Sequence, residues 1–209
     1  MINSPPMDLV IFGIQGSGKG TQAKKLAEEF GYDIFEAGGE LRRIADSGSG
    51  SAAPRTELRS GTGGLGAEVK SYIDAGKLVP HAIIMRVVAE AIRARPKTRK
   101  LLFDGIPRDR DQMRDFTEIM RKIGREFRCI HITLDPEAGI ERILKRAKIE
   151  GRADDAQEET IRKRMRIFTE KTLPVIECFA SEGKVTEVDG KGTTEEVYAR
   201  LKRAVSCEL

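Results

Sequence analysis

The chain has 209 residues, of which 39% are hydrophobic and 33% are charged, so its length predicts one domain with a buried core and a charged surface. The formal net charge of +4 fits an anionic ligand or a nucleic acid equally well. The three cysteines lie far apart and indicate neither a disulfide framework nor a structural zinc site. No apolar run approaches the roughly 18 residues of a membrane span, and the N-terminus does not resemble a signal peptide, so we expect a cytoplasmic protein without a membrane partner.

Five short apolar runs, each ending at glycine or aspartate, are predicted to be strands: 8–13, 32–38, 100–105, 127–135 and 184–190. Stretches with the apolar spacing of helices lie between and after them: 19–30, 65–76, 80–95, 137–148, 158–183 and 193–205. Strands that alternate with helices along a chain form βαβ units, whose strands lie parallel. The sequence therefore predicts an α/β fold, a five-stranded parallel sheet with helices on both faces.

A patch rich in Ser, Gly and Ala, residues 46–64, interrupts this pattern after the second predicted strand. Its small and polar side chains bury little apolar area, so we interpret the patch as a mobile loop. Because a helical pattern resumes directly after it, the patch marks no domain boundary. We expect a single domain over residues 1–209.

The first predicted strand leads into GIQGSGKGTQ, which satisfies the phosphate-binding pattern G-x-x-x-x-G-K with Gly13, Gly18 and Lys19. Glycines let the backbone curl so that successive N–H groups point at phosphate oxygens, while the helix N-terminus and the lysine add positive charge. The alternative is a glycine-rich turn that binds nothing, and the position between a strand and a helix argues against it. The hydroxyl that usually follows the lysine comes one residue later, at Thr21 after Gly20.

Six arginines follow the carboxyl ends of predicted strands, where parallel sheets bind ligands: Arg42, Arg108, Arg142, Arg146, Arg152 and Arg164. Phosphoryl transfer requires cations around the moving group and two oxygens held in line. Each arginine alone is compatible with a surface charge, but together they favour a kinase over a nucleotide sensor. A GTPase is disfavoured because the sequence has no guanine-binding Asn-Lys-x-Asp motif. A nucleic-acid-binding protein is disfavoured because aromatic residues make up only 5% of the chain.

Several segments together resemble the adenylate kinases and related nucleoside monophosphate kinases. Besides GIQGSGKGTQ they are EAGGELR, which is similar to the family's Ser-Thr-Gly-Asp-Leu-Leu-Arg, then AGKLVP, then LFDGIPRDRDQ, which is similar to its Asp-Gly-Phe-Pro-Arg, and finally KRAKIEGRADD with ETIRKR. The last segments resemble the branch of the family with a short lid. The resemblance implies a P-loop kinase domain with a mobile acceptor-binding arm at 36–80, a flexible insertion in that arm at 46–58, and a short lid at 147–156.

The resemblance also implies roles for individual residues. The ATP-binding residues would be Gly16, Ser17, Gly18, Lys19, Gly20, Thr21, Arg142, Arg146 and Gly192. The acceptor-binding residues would be Ala37, Gly38, Arg42, Lys77, Leu78, Val79, Gly105, Arg108, Gln112, Arg152 and Arg164. The catalytic residues would be Lys19, Arg108, Arg146, Arg152 and Arg164. Asp104 would hold Mg²⁺ through water, with an ordinary turn residue at the strand end as the alternative.

We therefore expect a monomer that binds ATP and a nucleoside monophosphate, and that transfers the γ-phosphoryl group of Mg-ATP reversibly to AMP. Ala37 stands where the family usually has a threonine near the acceptor base, and Gly39 stands where it has Asp or Glu. A UMP/CMP kinase therefore stays open as an alternative, and so does a non-catalytic nucleotide-binding regulator. Gln112 favours AMP, because its amide can meet both the N6 amino group and a ring nitrogen of adenine.

Overall fold

The computed structural model describes residues 7–47, 63–74, 79–150 and 158–206. Within these ranges five strands form one sheet: β1 (Asp8–Phe12), β2 (Tyr32–Glu36), β3 (Lys100–Asp104), β4 (Phe127–Thr133) and β5 (Val185–Asp189). Every pair in the sheet is parallel, and the strand order is β2-β3-β1-β4-β5. The predicted fold class is confirmed. The predicted strands run one or two residues too far at their carboxyl ends. In the second strand the extra residues begin the helix Ala37–Ser47, and in the others they lie in the connections that follow the strands.

The described helices are α1 (Lys19–Phe30), α2 (Ala37–Ser47), α3 (Gly63–Asp74), α4 (His81–Arg93), α5 (Arg110–Ile123), α6 (Pro136–Glu150), α7 (Glu158–Ile167), α8 (Leu173–Ser181) and α9 (Thr194–Ser206). A π-helical turn, Phe168–Thr172, joins α7 to α8. The predicted helix at 158–183 therefore exists as two α-helical pieces with this wider turn between them. Apolar spacing does not reveal such a turn, since one turn of different width barely disturbs the pattern.

Helix α2 was absent from the predicted elements, because Gly38 and Gly39 in its first turn are poor helix formers. Its apolar side of Ile44 and Ala45 packs against Leu65 of α3 in a small cluster of buried residues. Tertiary packing therefore outweighs the low intrinsic propensity. The patch predicted to be a loop at 46–64 is helical at both described ends, where α2 finishes and α3 begins. Residues 48–62, with most of the predicted insertion, lie outside the described residues.

Both faces of the sheet are covered, as expected from strands such as β1, in which all five residues are buried. On the face toward α4, α5 and α8, five phenylalanines pack in a continuous series with neighbouring ring centroids 5.0–5.6 Å apart: Phe35, Phe103, Phe116, Phe127 and Phe179. On the other face, Leu9 and Ile11 of β1 pack with Leu26 of α1 and Leu201 of α9. Helices thus cover both faces of the sheet. The ends of the strands form two further borders, which we call the amino edge, where the strands begin, and the carboxyl edge, where they end.

A buried ion pair closes the amino edge of the sheet. Arg125 donates from Nε to Oδ2 of Asp8 over 2.6 Å and from Nη2 to Oδ1 over 2.8 Å, and both side chains are at most 3% exposed. The backbone N–H of Leu101 also donates to Asp8 Oδ1 over 2.8 Å, and Arg125 reaches the carbonyl oxygen of Arg99. Burial raises the pKa of Asp8, while these hydrogen bonds lower it and so moderate the shift.

Candidate active site

The loop between β1 and α1 is shaped by glycines with left-handed backbone angles. Gly16 has a φ of 80°, and a Cβ there would lie only 2.4 Å from the carbonyl oxygen of Gly139 in α6. Gly18 has a φ of 89° and is the N-cap of α1, yet a Cβ at this position would meet nothing within 4 Å. No side chain caps the N-terminus of α1. The loop therefore presents helix N–H groups to open space, which is how proteins bind phosphate.

Two polar atoms of this loop are buried without a hydrogen-bond partner among the described residues. They are Oγ of Ser17, a residue that is 1% exposed, and Oε1 of Gln15. A buried polar group without a partner costs about 1–3 kcal/mol, so native proteins tolerate it chiefly where a ligand or water completes the bonding. Ser17 and Gln15 therefore offer buried polar atoms to a ligand or to water.

Lys19, the first residue of α1, extends beside the same loop and donates a long hydrogen bond of 3.4 Å to the carbonyl oxygen of Ile14. Burial lowers the pKa of Lys19, Asp104 opposes that shift, and the positive charges of Arg108 and Arg146 add to it. Burial raises the pKa of Asp104, and Lys19 is the largest influence in the opposite direction. Charges predicted from distant parts of the sequence therefore act on one another at the carboxyl edge of the sheet.

A cleft of about 1190 Å³ opens between the ends of β1, β2 and β3 and the π-helical turn. Pockets for one drug-sized ligand are typically about 300–1,000 Å³, so the cleft has room for at least one such ligand. Seven of the predicted site residues line it: Lys19, Arg42, Asp104, Gly105, Arg108, Gln112 and Arg164. Four of the predicted cationic residues, Lys19, Arg42, Arg108 and Arg164, thus converge on one cavity.

Arg108 lies in the loop between β3 and α5, where three hydrogen bonds hold it. Its Nε donates to the carbonyl oxygen of Gly105 over 2.6 Å, and its backbone N–H donates to Oε1 of Gln112 over 2.9 Å. The hydroxyl of Thr172 donates to its carbonyl oxygen over 2.8 Å. Gly105 has a φ of 82°, and a Cβ there would lie 2.8 Å from Nη2 of Arg108. The glycine is required so that the guanidinium can fold over the loop.

Arg42 enters the cleft from α2 and faces Glu36 at the end of β2. The two side chains are largely exposed, and Nη2 of Arg42 lies 3.7 Å from Oε1 of Glu36. A Cβ on Gly39 would lie 3.0 Å from Oε2 of Glu36, so the absent side chain leaves room for this carboxylate. The family that the sequence resembles has Asp or Glu at the position of Gly39. In this chain the carboxylate of Glu36, at the end of β2, lies next to that position.

The residues predicted to meet the donor base lie together on the other side of the phosphate loop. Arg142 of α6 donates from Nη2 to the carbonyl oxygen of Gly192, after β5, over 3.3 Å. Arg146 lies one turn further along α6 and is close enough to influence Lys19. This side of the loop therefore joins α6 to the segment between β5 and α9.

The family model for adenylate kinase matches residues 11–184 of the chain. The chain belongs to the adenylate kinase family. Similar proteins named adenylate kinase support this over nearly the whole length. The one from Parabacteroides distasonis is 33% identical over 201 residues, which cover 96% of this chain and 98% of the relative. The one from Nocardioides sp. is 36% identical, covering 95% and 97%, and the one from Thermus thermophilus is 33% identical, covering 94% and 96%.

Membership of the adenylate kinase family makes the chain a phosphotransferase, a nucleoside monophosphate kinase. The alternative of a non-catalytic regulator is thereby set aside. None of the helices in the described ranges is long and apolar enough to cross a membrane. In the same ranges there is no group of three or more His, Cys, Asp or Glu side chains placed to hold a metal ion.

Some residues predicted for the adenylate kinase site lie away from the cleft. Ala37 is buried in the apolar core on the α4 face of the sheet, and Val79 packs against the small cluster of α2, α3 and α4. Thr21 and Gly20 are exposed in the first turn of α1. A Cβ built on Gly38 would lie 3.5 Å from Nη1 of Arg42, so this glycine lies under the guanidinium. The remaining predictions, at Lys77, Leu78, Arg152 and lid residues 151–156, lie outside the described residues.

Sequence reasoning missed the part of the cleft formed by Glu36 and by the π-helical turn with Phe168, Glu170, Lys171 and Thr172. Glu36 was visible as the first letter of EAGGELR, at the end of a predicted strand. The π-helical turn carried no comparable signal, because its residues reach the cleft only through the packing of α7 against α6 and of α8 against α5, β4 and β5. His131 of β4 packs beside this turn, with its ring centroid 6.4 Å from that of Phe168.

Proposed function

We propose that the cleft binds ATP and AMP side by side and transfers the γ-phosphoryl group directly between them, in the reaction ATP + AMP = 2 ADP. The observation that carries this proposal is the convergence of Lys19 and Asp104 with Arg42, Arg108 and Arg164 on one cavity of about 1190 Å³. Cations on both sides of one cavity suit a reaction that brings two polyphosphate chains together.

In this proposal the donor binds at the phosphate loop. The N–H groups of residues 16–21 surround the β- and γ-phosphates, and Lys19 supplies a full positive charge. The energetic argument is the hydroxyl of Ser17, which is buried with no hydrogen-bond partner among the described residues and can donate to a phosphate oxygen of ATP. The adenine lies against Arg142 and the backbone at Gly192, which are hydrogen-bonded to each other over 3.3 Å.

The acceptor phosphate binds between Arg42 and Arg108. A guanidinium offers two parallel N–H donors, and this fork fits a phosphate better than a single ammonium group does. Arg42 exchanges its long contact with Glu36 for the phosphate, while Arg108 is already held over the cleft by Gly105. Gln112 lies one helical turn beyond Arg108, where its amide N–H₂ group can face the acceptor base.

The transfer step needs no covalent enzyme intermediate. An oxygen of the AMP phosphate attacks the γ-phosphorus, the bond from that phosphorus to the bridging oxygen breaks, and ADP leaves with the electron pair. The phosphoryl group is surrounded during transfer by Arg146, Arg152 and Arg164. They balance the charge that spreads over its equatorial oxygens. Closure of the arm at 36–80 and the lid at 147–156 excludes water, which otherwise would accept the phosphoryl group.

Adenylate kinases use ATP as its magnesium complex. The donor set of the cleft fits this use, because Asp104 offers a hard oxygen ligand beside Lys19 and the metal keeps most of its water. Asp104 would hold Mg²⁺ through water, and the ion would neutralise charge on the β- and γ-phosphates. The absence of a structural zinc, a monomeric state and a cytoplasmic location stay predictions from the sequence.

A coupled assay of the purified enzyme with AMP, CMP, UMP and GMP tests the reaction, and two arginine variants test the residue roles. Arg108→Ala should raise the KM for AMP far more than the KM for ATP, because its partner is the acceptor phosphate. Arg152→Ala should instead lower kcat, because its contacts tighten at the transferring group. Arg114→Ala is the matched control, since Arg114 is exposed on α5 and pairs with Asp111.

A higher kcat/KM for CMP or UMP than for AMP would overturn the assignment of the acceptor and leave phosphoryl transfer standing. An unchanged KM for AMP in Arg108→Ala would show that the acceptor phosphate binds elsewhere. A loss in Arg114→Ala equal to that in Arg108→Ala would show that overall charge, and not placement, is responsible.

A further inference from the structure

The loop that carries Arg108 is held from two directions. Arg108 makes two of its three hydrogen bonds to residues nearby in sequence, donating to the carbonyl oxygen of Gly105 and to Oε1 of Gln112. The third comes from Thr172, 64 residues along the chain, whose hydroxyl donates to the carbonyl oxygen of Arg108 over 2.8 Å. A short loop held only by itself can still turn as a unit. A contact from a separate element is what fixes its direction.

Thr172 is well suited to this contact because of its place in the helix. It is the last residue of the π-helical turn, and it is only 7% exposed. Threonine hydroxyls inside helices ordinarily bond to the carbonyl one turn earlier, as Thr169 does with Met165 over 3.2 Å. Thr172 bonds outside its helix instead. Single π-helical turns occur mostly at functional sites, where they redirect side chains.

The helical stretch that carries Thr172 also carries Arg164, which lines the same cleft. The stretch runs from α7 through the π-helical turn to α8, and the residues flanking the turn keep right-handed helical backbone angles. One hydrogen bond therefore ties the loop of Arg108 to the element that presents Arg164. This hydrogen bond is a direct link between the two elements that present these arginines.

We propose that Thr172 is a positioning residue for the acceptor site, and that its hydroxyl aims the guanidinium of Arg108 at the phosphate of AMP. This inference rests on the proposed placement of Arg108 at that phosphate. Thr172 acts through the backbone of Arg108 and not through a contact with the nucleotide. Its loss should weaken the use of AMP and leave the binding of ATP almost unchanged.

The first test compares Thr172→Val, which keeps the shape and removes the hydroxyl, with Thr172→Ser, which keeps the hydroxyl. One hydrogen bond corresponds to about a 3- to 10-fold effect, so kcat/KM for AMP should fall by that factor in the valine variant. The serine variant should stay within about twofold of the wild type, and the KM for ATP should change less than about twofold in both. Thr169→Val is the matched control, because its hydroxyl bonds within its own helix.

Equal impairment of the serine and valine variants would overturn the inference, since the methyl group and not the hydroxyl would then be responsible. Equal impairment of Thr169→Val would overturn it too, because loss of any hydroxyl in the turn would then suffice. If Thr172→Val does not fold, Thr172→Ala against Thr172→Ser provides the same comparison.

A double-mutant cycle separates positioning from direct contact with AMP. If Thr172 acts through Arg108, then Thr172→Val should change kcat/KM for AMP by less than about twofold in an Arg108→Ala background. A full 3- to 10-fold effect in that background would overturn the positioning role. The single variants also separate two failures. An unchanged KM for AMP in Arg108→Ala would contradict the proposed function, whereas a loss there with none in Thr172→Val would contradict only the role of Thr172.

Discussion

The sheet has charged residues at both edges, and the hydrogen bonding of these residues differs between the two edges. At the amino edge, Asp8 receives three hydrogen bonds and Arg125 uses its fork on both carboxylate oxygens. At the carboxyl edge, Lys19 makes one long hydrogen bond of 3.4 Å, and the oxygen of Ser17 next to it has no partner among the described residues.

Completeness of bonding explains what each edge does. Charges that satisfy one another inside the chain leave nothing for a ligand, so the pair of Asp8 and Arg125 joins β1 to the segment before β4 and has a structural role. Charges and amides that stay unsatisfied bind a ligand strongly, because the ligand removes a cost already present in the free protein. Substitutions should therefore affect stability at one edge and activity at the other.

The largest effect should follow from Arg125→Met at the amino edge. The variant leaves the carboxylate of Asp8 buried without its partner, which should lower the free energy of unfolding by about 3–5 kcal/mol. Denaturant unfolding at neutral pH measures this loss. Burial already raises the pKa of Asp8, and the loss of Arg125 raises it further above the unfolded value. The deficit should therefore be greatest at neutral pH, shrink as the pH falls toward about 4, and stay small below that, where Asp8 is protonated in both states.

Asp8→Asn combined with Arg125→Met is the control for this prediction. Removal of both charges should restore part of the stability, because an isolated buried charge is worse than none. The kcat of the folded single variant should match the wild type. A large loss of activity at unchanged stability would contradict the structural role of this edge.

The next largest effect should follow from Lys19→Met at the carboxyl edge. The variant removes the charge at the β- and γ-phosphates and keeps the volume of the side chain. We expect kcat/KM to fall by at least about a hundredfold, as for other preorganised contacts to a transition state. Stability should be unchanged or slightly higher, because burial lowers the pKa of Lys19 and so makes its charged form costly in the free protein. Activity within a few-fold of the wild type, or a stability loss like that of Arg125→Met, would remove the contrast between the edges.

The smallest of these effects should follow from Gln112→Ala, which tests how far the carboxyl edge reads the acceptor base. The ratio of kcat/KM for AMP to that for CMP should fall by the equivalent of about 1–3 kcal/mol of transition-state free energy, the usual value of one polar recognition contact. The alanine variant also removes the acceptor for the N–H of Arg108. Gln112→Glu keeps that acceptor and loses the amide donors, so it should also lower the ratio of kcat/KM for AMP to that for CMP. An unchanged ratio in both variants would show that the base is read elsewhere.

The sequence by itself determined the parallel α/β fold, the phosphate loop and seven of the residues that line the cleft. These features depend on local signals. Alternating apolar runs identify strands, G-x-x-x-x-G-K identifies the loop at Lys19, and the carboxyl ends of parallel strands must share an edge. Arg42, Arg108 and Asp104 could be placed at that edge because each lies at the last residue of a strand or a few residues beyond it.

Only the tertiary structure decided how these residues are held. The helix at Ala37–Ser47 forms despite two glycines because Ile44 and Ala45 pack on α3. Arg125 pairs with Asp8 across 117 residues of chain, and Thr172 reaches Arg108 across 64. No local pattern specifies such contacts. Their hydrogen bonds are favourable only after the sheet and helices have packed and excluded water from them.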